Sequence, residues 1–237
     1  MPNPFFKFKK FTVYHDRCAM KVGTDGVLLG AWAKVEGAHS ILDIGTGTGL
    51  IALMLAQRNQ EASVLGIDID EGAVLQACEN VSRSPWGDRI NIEKIDVCEL
   101  GLKGEGRFDC IVSNPPYFQE NVHCPDEQRN QARHTAGLSF EALLDAVDRL
   151  LNDEGEFSVV LPNVAASQFI SLAASRFLYL RHRTLIHTKP GAEPKRVLLA
   201  FGRKMQMSIT DHLTIELERH VYSEDYITLT RDFYLFM

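Results

Sequence analysis

The stretch SILDIGTGTGL, residues 40–50, determines how the rest of the chain can fold. Its first five residues, Ser40–Ile44, form a short, mostly apolar run with the composition of a core strand. Three alternating glycines follow, and the next run, Leu50–Arg58, is predicted to be a helix. Closely spaced glycines let the backbone approach a ligand and offer it the amides at the start of a helix. The stretch therefore predicts a strand, a glycine turn and a helix, the unit that builds parallel sheets.

The same alternation of strand and helix continues along the chain. Further strands are predicted at Ser63–Ile67, Ile90–Ile95, Phe108–Ser113, Glu156–Leu161, Leu178–His187 and Arg196–Phe201. Further helices are predicted at Leu28–Trp32 with Thr24 and Asp25 as its cap, at Glu71–Ser82, at Ser139–Leu151, and from Asn163 as a cap to Arg176. This order predicts an α/β fold with a doubly wound, mainly parallel sheet and helices on both faces.

The composition indicates one globular domain. The chain has 237 residues, of which 45% are hydrophobic and 24% charged, enough for one substantial core with additions. We predict a single domain over residues 1–237. It consists of a basic amino-terminal extension at 1–38, a core at 39–204 and a carboxyl-terminal extension at 205–237, and the pattern gives the last extension no clear role in the core.

Neither targeting nor metal binding is indicated by the residue pattern. Residues 1–11 alternate Phe and Lys instead of forming the apolar centre of a signal peptide, and no apolar run is long enough to span a bilayer. We therefore expect a cytoplasmic protein with no membrane partner. The five cysteines form no Cys-x-x-Cys pair, which argues against a disulfide framework and a zinc site. His123, Cys124 and His134 match no common metal-site spacing, so we predict a loop there and no metal.

Charge is unevenly distributed along an acidic chain. The net charge is −6, yet eight Lys or Arg and one acid, Glu193, lie between Arg176 and Lys204. A second basic run precedes the core. Two such faces fit contact with a phosphate backbone, although charge runs are more often solvated edges. The residues predicted to contact nucleic acid are Lys7, Lys9, Lys10, Lys195 and Arg196.

The glycine turn predicts a nucleoside site. Asp68 ends the second strand, where such folds place a carboxylate on ribose hydroxyls. A dinucleotide oxidoreductase is a rival interpretation, but Asp43 would repel a pyrophosphate and the glycines run G-x-G-x-G. A cationic cofactor fits better, and S-adenosylmethionine carries both a sulfonium and an ammonium group. The predicted cofactor-binding residues are Asp43, Gly45, Gly47, Gly49, Asp68 and Asp96. Asp96 would either meet the adenine amine or serve only as a turn residue at the end of its strand.

A second stretch, FDCIVSNPPY at residues 108–117, predicts where the chemistry occurs. The strand ends at Asn114, and Pro115 and Pro116 force the chain out of the sheet as a stiff corner. Asn114 Oδ1 and the Pro115 carbonyl can accept both N–H bonds of a planar amine, and their geometry can favour its tetrahedral form. Tyr117 offers a face for stacking a base. The predicted catalytic residues are Asn114, which also adjoins the cofactor, Pro115, Pro116 and Tyr117.

Together, the two motifs resemble a known family. Asp-x-Gly-x-Gly-x-Gly at residues 43–49 with Asn-Pro-Pro-Tyr at 114–117 is similar to the class I S-adenosylmethionine-dependent amino-methyltransferases. The resemblance implies a seven-stranded sheet whose last strand is antiparallel. It also implies that Gly45, Gly47 and Asp68 contact the cofactor, and that Asn114 with Pro115 contacts the target nitrogen.

The flanking segments narrow the resemblance. Residues 11–32, Ala132–His134, Arg196–Leu199 and residues 222–235 are similar to bacterial tRNA(Val) adenine-N6-methyltransferases. That family implies methylation of the adenosine just 3′ of the anticodon, with the anticodon arm of tRNA(Val) as partner and Thr24 over the methionine end of the cofactor. Two alternatives stay open: a glutamine N5-methyltransferase acting on release factors, which shares the Asn-Pro-Pro-Tyr corner, and a binding module without activity.

Overall fold

The computed structural model describes residues 3–17, 21–102, 106–116 and 138–237. Its strands are β1 Phe5–Lys7, β2 Thr12–Tyr14, β3 Ser40–Ile44, β4 Ser63–Asp68, β5 Ile90–Lys94, β6 Phe108–Ser113, β7 Leu151–Pro162, β8 Tyr179–His187, β9 Arg196–Gly202, β10 Ile209–Thr214, β11 Glu216–Glu218 and β12 Val221–Tyr222. Its helices are α1 Thr24–Trp32, α2 Leu50–Arg58, α3 Glu71–Ser82, α4 Phe140–Leu150, α5 Ala166–Ala174 and α6 Glu224–Thr230, and a 3-10 turn at Asn163–Ala165 precedes α5.

Eight strands form the central sheet, in the order β10-β8-β9-β7-β6-β3-β4-β5. The pairs β7-β6, β6-β3, β3-β4 and β4-β5 are parallel. Strand β9 is antiparallel to both of its neighbours, β7 and β8. The predicted doubly wound, mainly parallel fold is therefore confirmed. All seven predicted strands are present, and β10, paired in parallel with β8, adds an eighth at the edge.

Helices cover both faces of the sheet because the strands are apolar on both sides. The core on one face includes Leu28 of α1 and Leu53 of α2, both fully buried. The core on the other includes Val147 of α4 and Phe169 of α5, also fully buried. Burying one such side chain contributes about 1.5–3 kcal/mol, so these two layers hold the strand ends in fixed positions.

The strand order reverses next to β3, and the reversal creates a crevice. From β3 the chain adds β4 and β5 on one side, then returns to place β6 on the other. In open α/β sheets, ligands bind at such a reversal, outside the carboxyl ends of the strands. We call this end of the parallel strands, just after Ile44, Asp68, Lys94, Ser113 and Pro162, the carboxyl edge. The opposite end is the amino edge.

The carboxyl-terminal extension, to which the residue pattern assigned no clear role, contributes buried side chains to the core. Leu213, Tyr226 and Phe233 are buried in the same cluster as Phe8 of the amino-terminal segment. The extension also supplies β10. Leu213 and Ile215 alternate with polar residues, but this local spacing does not show which distant residues they pack against.

Several predicted boundaries shift by a few residues. Helix α4 ends at Leu150, and Leu151 already begins β7. Gly23, not Thr24 or Asp25, is the N-cap of α1, and no side chain caps it. Asn163 opens a 3-10 turn instead of capping α5, because a single tight turn separates β7 from that helix. At the carboxyl edge, the ends of β4, β5 and β7 shift by one residue each, to Asp68, Lys94 and Pro162.

Candidate active site at the carboxyl edge

The glycine turn after β3 is open to solvent on its outer side. Gly45 and Gly47 have φ of 72° and 56°, in the left-handed region that favours glycine. A Cβ added at Gly45 would meet nothing within 4 Å, and one at Gly47 would meet only a backbone oxygen at 4.0 Å. The amides of Gly45 and Thr46 both donate to the Ile67 carbonyl at 2.9 Å, which fastens the turn to β4. The backbone is thus held rigidly with free space above it.

The third glycine of the motif, Gly49, allows close packing between two helices. Gly49 is the N-cap of α2 with φ of 79°, and a Cβ there would lie 3.3 Å from the Cβ of Ala77 in α3. A side chain at this position would push the two helices apart. Gly49 therefore allows close packing beneath the turn, and its predicted contact with a cofactor stays a prediction.

Asp43 holds the turn from below. It is fully buried, and its Oδ2 accepts from Thr46 Oγ1 at 2.7 Å and from the Ala52 amide at 3.1 Å. Its Oδ1 is buried without a hydrogen-bond partner. Burial raises the pKa of this carboxyl to about 7. Asp43 thus ties the glycine turn to α2, and its direct contact with a cation stays a prediction.

Asp68 lies beside the turn at the end of β4. Its Oδ2 accepts from the Gly47 amide and its Oδ1 from the Asp70 amide, both at 2.9 Å. Because each carboxylate oxygen can accept more than one hydrogen bond, both oxygens keep capacity for hydroxyl donors. The next residue, Ile69, is 59% exposed and offers an apolar surface of the kind a purine covers. Ile69 is not among the residues predicted for this site, although its place directly after Asp68 would have indicated it.

Asp96 follows β5 and is exposed at the same edge. Its Oδ1 accepts from the Cys98 amide at 2.8 Å, and its carbonyl accepts from the Glu99 amide at 2.9 Å. These bonds form a turn, so the alternative structural role is present, while contact with an adenine stays a prediction. Since neighbouring strands are about 4.8 Å apart, Gly45, Asp68 and Asp96 form a row that suits an extended nucleoside.

The acceptor corner leaves the sheet next to the glycine turn. Ser113 at the end of β6 pairs with Ile44 at the end of β3, and its buried hydroxyl donates to the Ile44 carbonyl at 2.9 Å. The following Asn114 is half-buried, Pro115 is buried and Pro116 is exposed. Asn114 and Gly45 therefore start from paired positions on adjoining strands. The predicted residues Tyr117, His123, Cys124 and Ala132–His134 lie outside the described residues.

Helix α1 closes the other side of the corner. A Cβ added at Gly26 would lie 3.2 Å from Leu50 Cδ2 and 3.9 Å from Asn114 Nδ2, so only glycine allows this approach comfortably. Thr24 is exposed in the first turn of this helix. Between them, Asp25 Oδ2 accepts from Arg196 Nε at 2.8 Å. No local sequence pattern predicts this pair, because its partners are 171 positions apart.

Ion pairs occupy most of the basic run between Arg176 and Lys204. The pairs are Arg176–Asp145, Arg181–Glu156, Arg203–Asp148 and Lys204–Glu154. Lys195 is exposed at the carboxyl edge, and no ion pair in the described part of the chain involves it. The Asn163 amide donates to the Lys195 carbonyl at 3.1 Å, which joins Lys195 to the end of β7. Lys195 is thus, with the neighbouring Arg196, a predicted RNA contact at the carboxyl edge.

The amino-terminal lysines lie elsewhere. Phe11 packs edge-on against Trp86 at 5.7 Å, and Trp86 comes shortly before the start of β5. The turn that carries Lys9 and Lys10 therefore lies towards the amino edge. Lys9 is also engaged, since its Nζ donates to two backbone carbonyls of the carboxyl-terminal extension. Lys7, exposed in β1, and Lys10 keep their predicted RNA contacts as predictions.

Within residues 3–17, 21–102, 106–116 and 138–237, no group of three or more His, Cys, Asp or Glu could hold a metal ion. No helix in those ranges has the length and hydropathy needed to cross a membrane.

Comparison with known proteins gives consistent matches. A family model described as the methyltransferase small domain matches residues 22–175. A protein of Phocaeicola vulgatus is 59% identical over 237 residues, 100% of both chains. One of Bacteroides thetaiotaomicron is 53% identical over 99% of each chain, and one of Escherichia coli O157:H7 is 46% identical over 98% of this chain and 95% of its own. All three are named tRNA1(Val) (adenine(37)-N6)-methyltransferase.

Solved structures agree on the fold. A predicted O-methyltransferase from Agrobacterium tumefaciens has a TM-score of 0.68 at 20% identity, covering 88% of this chain and 96% of that one. A ribosomal protein L11 methylase from Lactobacillus delbrueckii has a TM-score of 0.56 at 21% identity, covering 81% and 84%. At these identities the likeness concerns the fold alone.

Proposed function

The chain belongs to the tRNA1(Val) (adenine(37)-N6)-methyltransferase family, and on that premise we propose that it methylates the exocyclic N6 amine of the adenosine following the anticodon of tRNA(Val). The methyl donor in this proposal is S-adenosylmethionine. The observation that carries the proposal is the pairing of Ser113 with Ile44, which places the acceptor corner and the glycine turn on adjoining strand ends.

The residues present fit this cofactor. Open space above Gly45 and Gly47 admits a ligand against their backbone. Asp68 would accept from the ribose hydroxyls, Ile69 would cover one face of the adenine, and Thr24 would approach the methionine end. When bound, S-adenosylmethionine supplies an electrophilic methyl group and leaves as S-adenosylhomocysteine.

The acceptor corner addresses the poor nucleophilicity of the adenine amine, whose lone pair is delocalised into the ring. Asn114 Oδ1 and the Pro115 carbonyl would accept its two N–H bonds and draw electron density onto nitrogen as it becomes tetrahedral. With the amine held by these two acceptors, its nitrogen would form an N–C bond to the methyl group as the S–C bond of the cofactor breaks, and would then lose one proton to solvent. Because that nitrogen becomes acidic only as the methyl group arrives, no strong general base is required.

The adenine must leave the stack of the anticodon loop to reach this corner, as in other enzymes that modify bases. Tyr117 is proposed to stack against the extruded base. The reaction would take place wherever tRNA is present, which in bacteria is the cytoplasm. The rival acceptor, a release-factor glutamine, also offers a planar amide nitrogen, but the full-length similarity to three tRNA methyltransferases favours RNA.

The experiment compares acceptors directly. The protein is incubated with methyl-labelled S-adenosylmethionine and with tRNA(Val) transcript, the same transcript carrying guanosine after the anticodon, or release factor. We expect label in the first transcript only, recovered after nuclease digestion as N6-methyladenosine. Label in release factor, or equal label in both transcripts, would contradict the proposal.

A further inference from the structure

The ion pair between Asp25 and Arg196 joins two walls of the acceptor corner. Arg196 begins β9, where it pairs with Pro162 at the end of β7. Its Nε donates to Asp25 Oδ2 at 2.8 Å, in the first turn of α1. Both side chains are partly sheltered, with 37% and 27% of their surface exposed. The pair therefore connects the last core strand to the helix that lies against Asn114.

The neighbour of Asp25 explains why this connection matters. Gly26 is the point where α1 approaches Asn114, because a Cβ added at Gly26 would lie in van der Waals contact with Asn114 Nδ2, at 3.9 Å. The first turn has no side-chain cap, so its position depends on other contacts. Asp25 stabilises the turn through the helix dipole, and Arg196 fixes that carboxylate in place. A shift of this turn would change the space available to the Asn114 amide.

We propose that Arg196 is a positioning residue, which acts through Asp25 to hold the first turn of α1 against Asn114. This role rests on the proposed function, since it concerns the geometry of the amine-binding corner. It differs from the contact with RNA phosphates predicted for Arg196 from the sequence. The two roles make opposite predictions for Asp25, because removing an acid strengthens phosphate binding but breaks a positioning pair.

The test compares Asp25→Asn with Arg196→Gln in single-turnover assays on tRNA(Val), with tRNA affinity measured separately over a salt series. Positioning predicts that both variants lose turnover alike, by about 10- to 100-fold, because small misplacements of reacting groups cost that much. Their salt slopes stay close to the wild-type slope. Contact with a phosphate predicts instead that Arg196→Gln flattens the slope by about one unit and that Asp25→Asn binds tRNA more tightly.

A matched control uses a second Arg–Asp pair that involves neither α1 nor β9. Arg176, shortly after α5, donates from Nε to Oδ1 of Asp145 in α4 at 2.5 Å. Asp145→Asn removes the same kind of pair and should leave turnover unchanged. The exchanged double variant, Asp25→Arg with Arg196→Asp, restores an ion pair and should recover part of the lost rate. Normal turnover in Asp25→Asn would overturn the positioning role.

Hydrogen exchange gives a readout that does not depend on activity. If the pair holds α1, amides at residues 27–30 exchange faster in Asp25→Asn than in wild type, while those of α5 do not change. Unchanged exchange overturns the inference even if the RNA substrate has been assigned wrongly. A wild-type protein that fails to methylate tRNA refutes the proposed function instead. Asp25→Asn is nearly isosteric, so it decides the question if Arg196→Gln does not fold.

Discussion

Asp43 and Asp109 lie on neighbouring strands at opposite ends of the sheet, and their surroundings differ. Asp109, at the amino edge, accepts from the His39 and Ser40 amides and from Asn152 Nδ2. Partial burial works against ionisation there, but these hydrogen bonds prevail and lower its pKa. Asp43, at the carboxyl edge, is fully buried with one unpartnered oxygen, and burial raises its pKa to about 7.

The contrast extends to the two edges as a whole. At the amino edge, Arg89 donates to the carbonyls of Ala56, Asn59 and Ala62, and Arg58 closes the adjoining helix end. Polar side chains at that edge therefore satisfy backbone carbonyls at the ends of helices and strands. At the carboxyl edge, glycines leave open space and carboxylates keep capacity to accept. Substitutions should therefore cost stability at the amino edge and function at the carboxyl edge.

The largest effect is expected at the acceptor corner. Asn114→Ala should reduce single-turnover methylation by about 10²–10³-fold, the usual cost of removing one transition-state hydrogen-bonding group. The affinity for tRNA should change much less, because the missing acceptor matters chiefly as the nitrogen becomes tetrahedral. Rates on unmodified tRNA(Val), with binding measured separately, give the comparison. Near-normal turnover would remove Asn114 from the mechanism.

The matching change at the amino edge is Arg89→Met. It leaves three carbonyls without their charged donor and should lower the free energy of unfolding by about 1.5–3 kcal/mol. Turnover per folded molecule should stay at the wild-type level. Urea denaturation and an active-site titration check both points. A variant that keeps its stability but loses activity would reverse the contrast between the two edges.

Asp68→Ala should weaken binding of S-adenosylhomocysteine by about 1–3 kcal/mol, because ribose hydroxyls and the Gly47 amide lose an acceptor. Calorimetry measures this directly. Asp70→Ala is a useful control, since it removes a carboxylate two positions away that caps α3 through the Ala73 amide. Equal losses in both variants would argue that turn structure, and not ribose contact, determines the affinity.

The two aspartates predict opposite effects of pH on stability. The raised folded pKa of Asp43 means that the folded state keeps a proton that the unfolded state releases. The contribution of this group to the free energy of unfolding is therefore fully present below about pH 4. It falls by about 1.4 kcal/mol per pH unit as the pH rises from about 4 to about 7. Asp109, whose pKa is lowered, contributes stability above its unfolded pKa and loses it as the pH falls.

Urea denaturation across that range distinguishes the two groups. Asp43→Asn should remove the decline between about pH 4 and pH 7, whereas Asp109→Asn should be most damaging at neutral pH and relatively harmless in acid. If the free energy of unfolding depends on pH in the same way for wild type and Asp43→Asn, Asp43 ionises normally in the folded protein.

The smallest effect concerns the salt dependence of tRNA binding. Lys195→Gln, at the carboxyl edge, should flatten the slope of log affinity against log salt by about 0.9 if it contacts one phosphate. Lys10→Gln, in the turn near the amino edge, should flatten it less. Filter binding over a salt series measures both. A larger change for Lys10 would mean that the RNA spans the sheet and contacts its far end.

The sequence predicted the sheet because its signals are local. Each core strand is a short apolar run next to a helix, and the residues of the glycine turn and the corner adjoin strand ends. Leu213, Tyr226 and Phe233 could not be placed, because they are buried in a cluster that includes residues as distant in the chain as Phe8. The charge count likewise could not show that Arg176, Arg181, Arg203 and Lys204 are paired with acids.

The ion pair between Asp25 and Arg196 also has a consequence for folding kinetics. Its partners are 171 positions apart, so loop closure opposes its formation until the intervening strands have docked. We expect a φ-value near zero for this contact, with its loss accelerating unfolding and leaving the folding rate unchanged. The acceptor corner would then be completed after the folding barrier has been crossed.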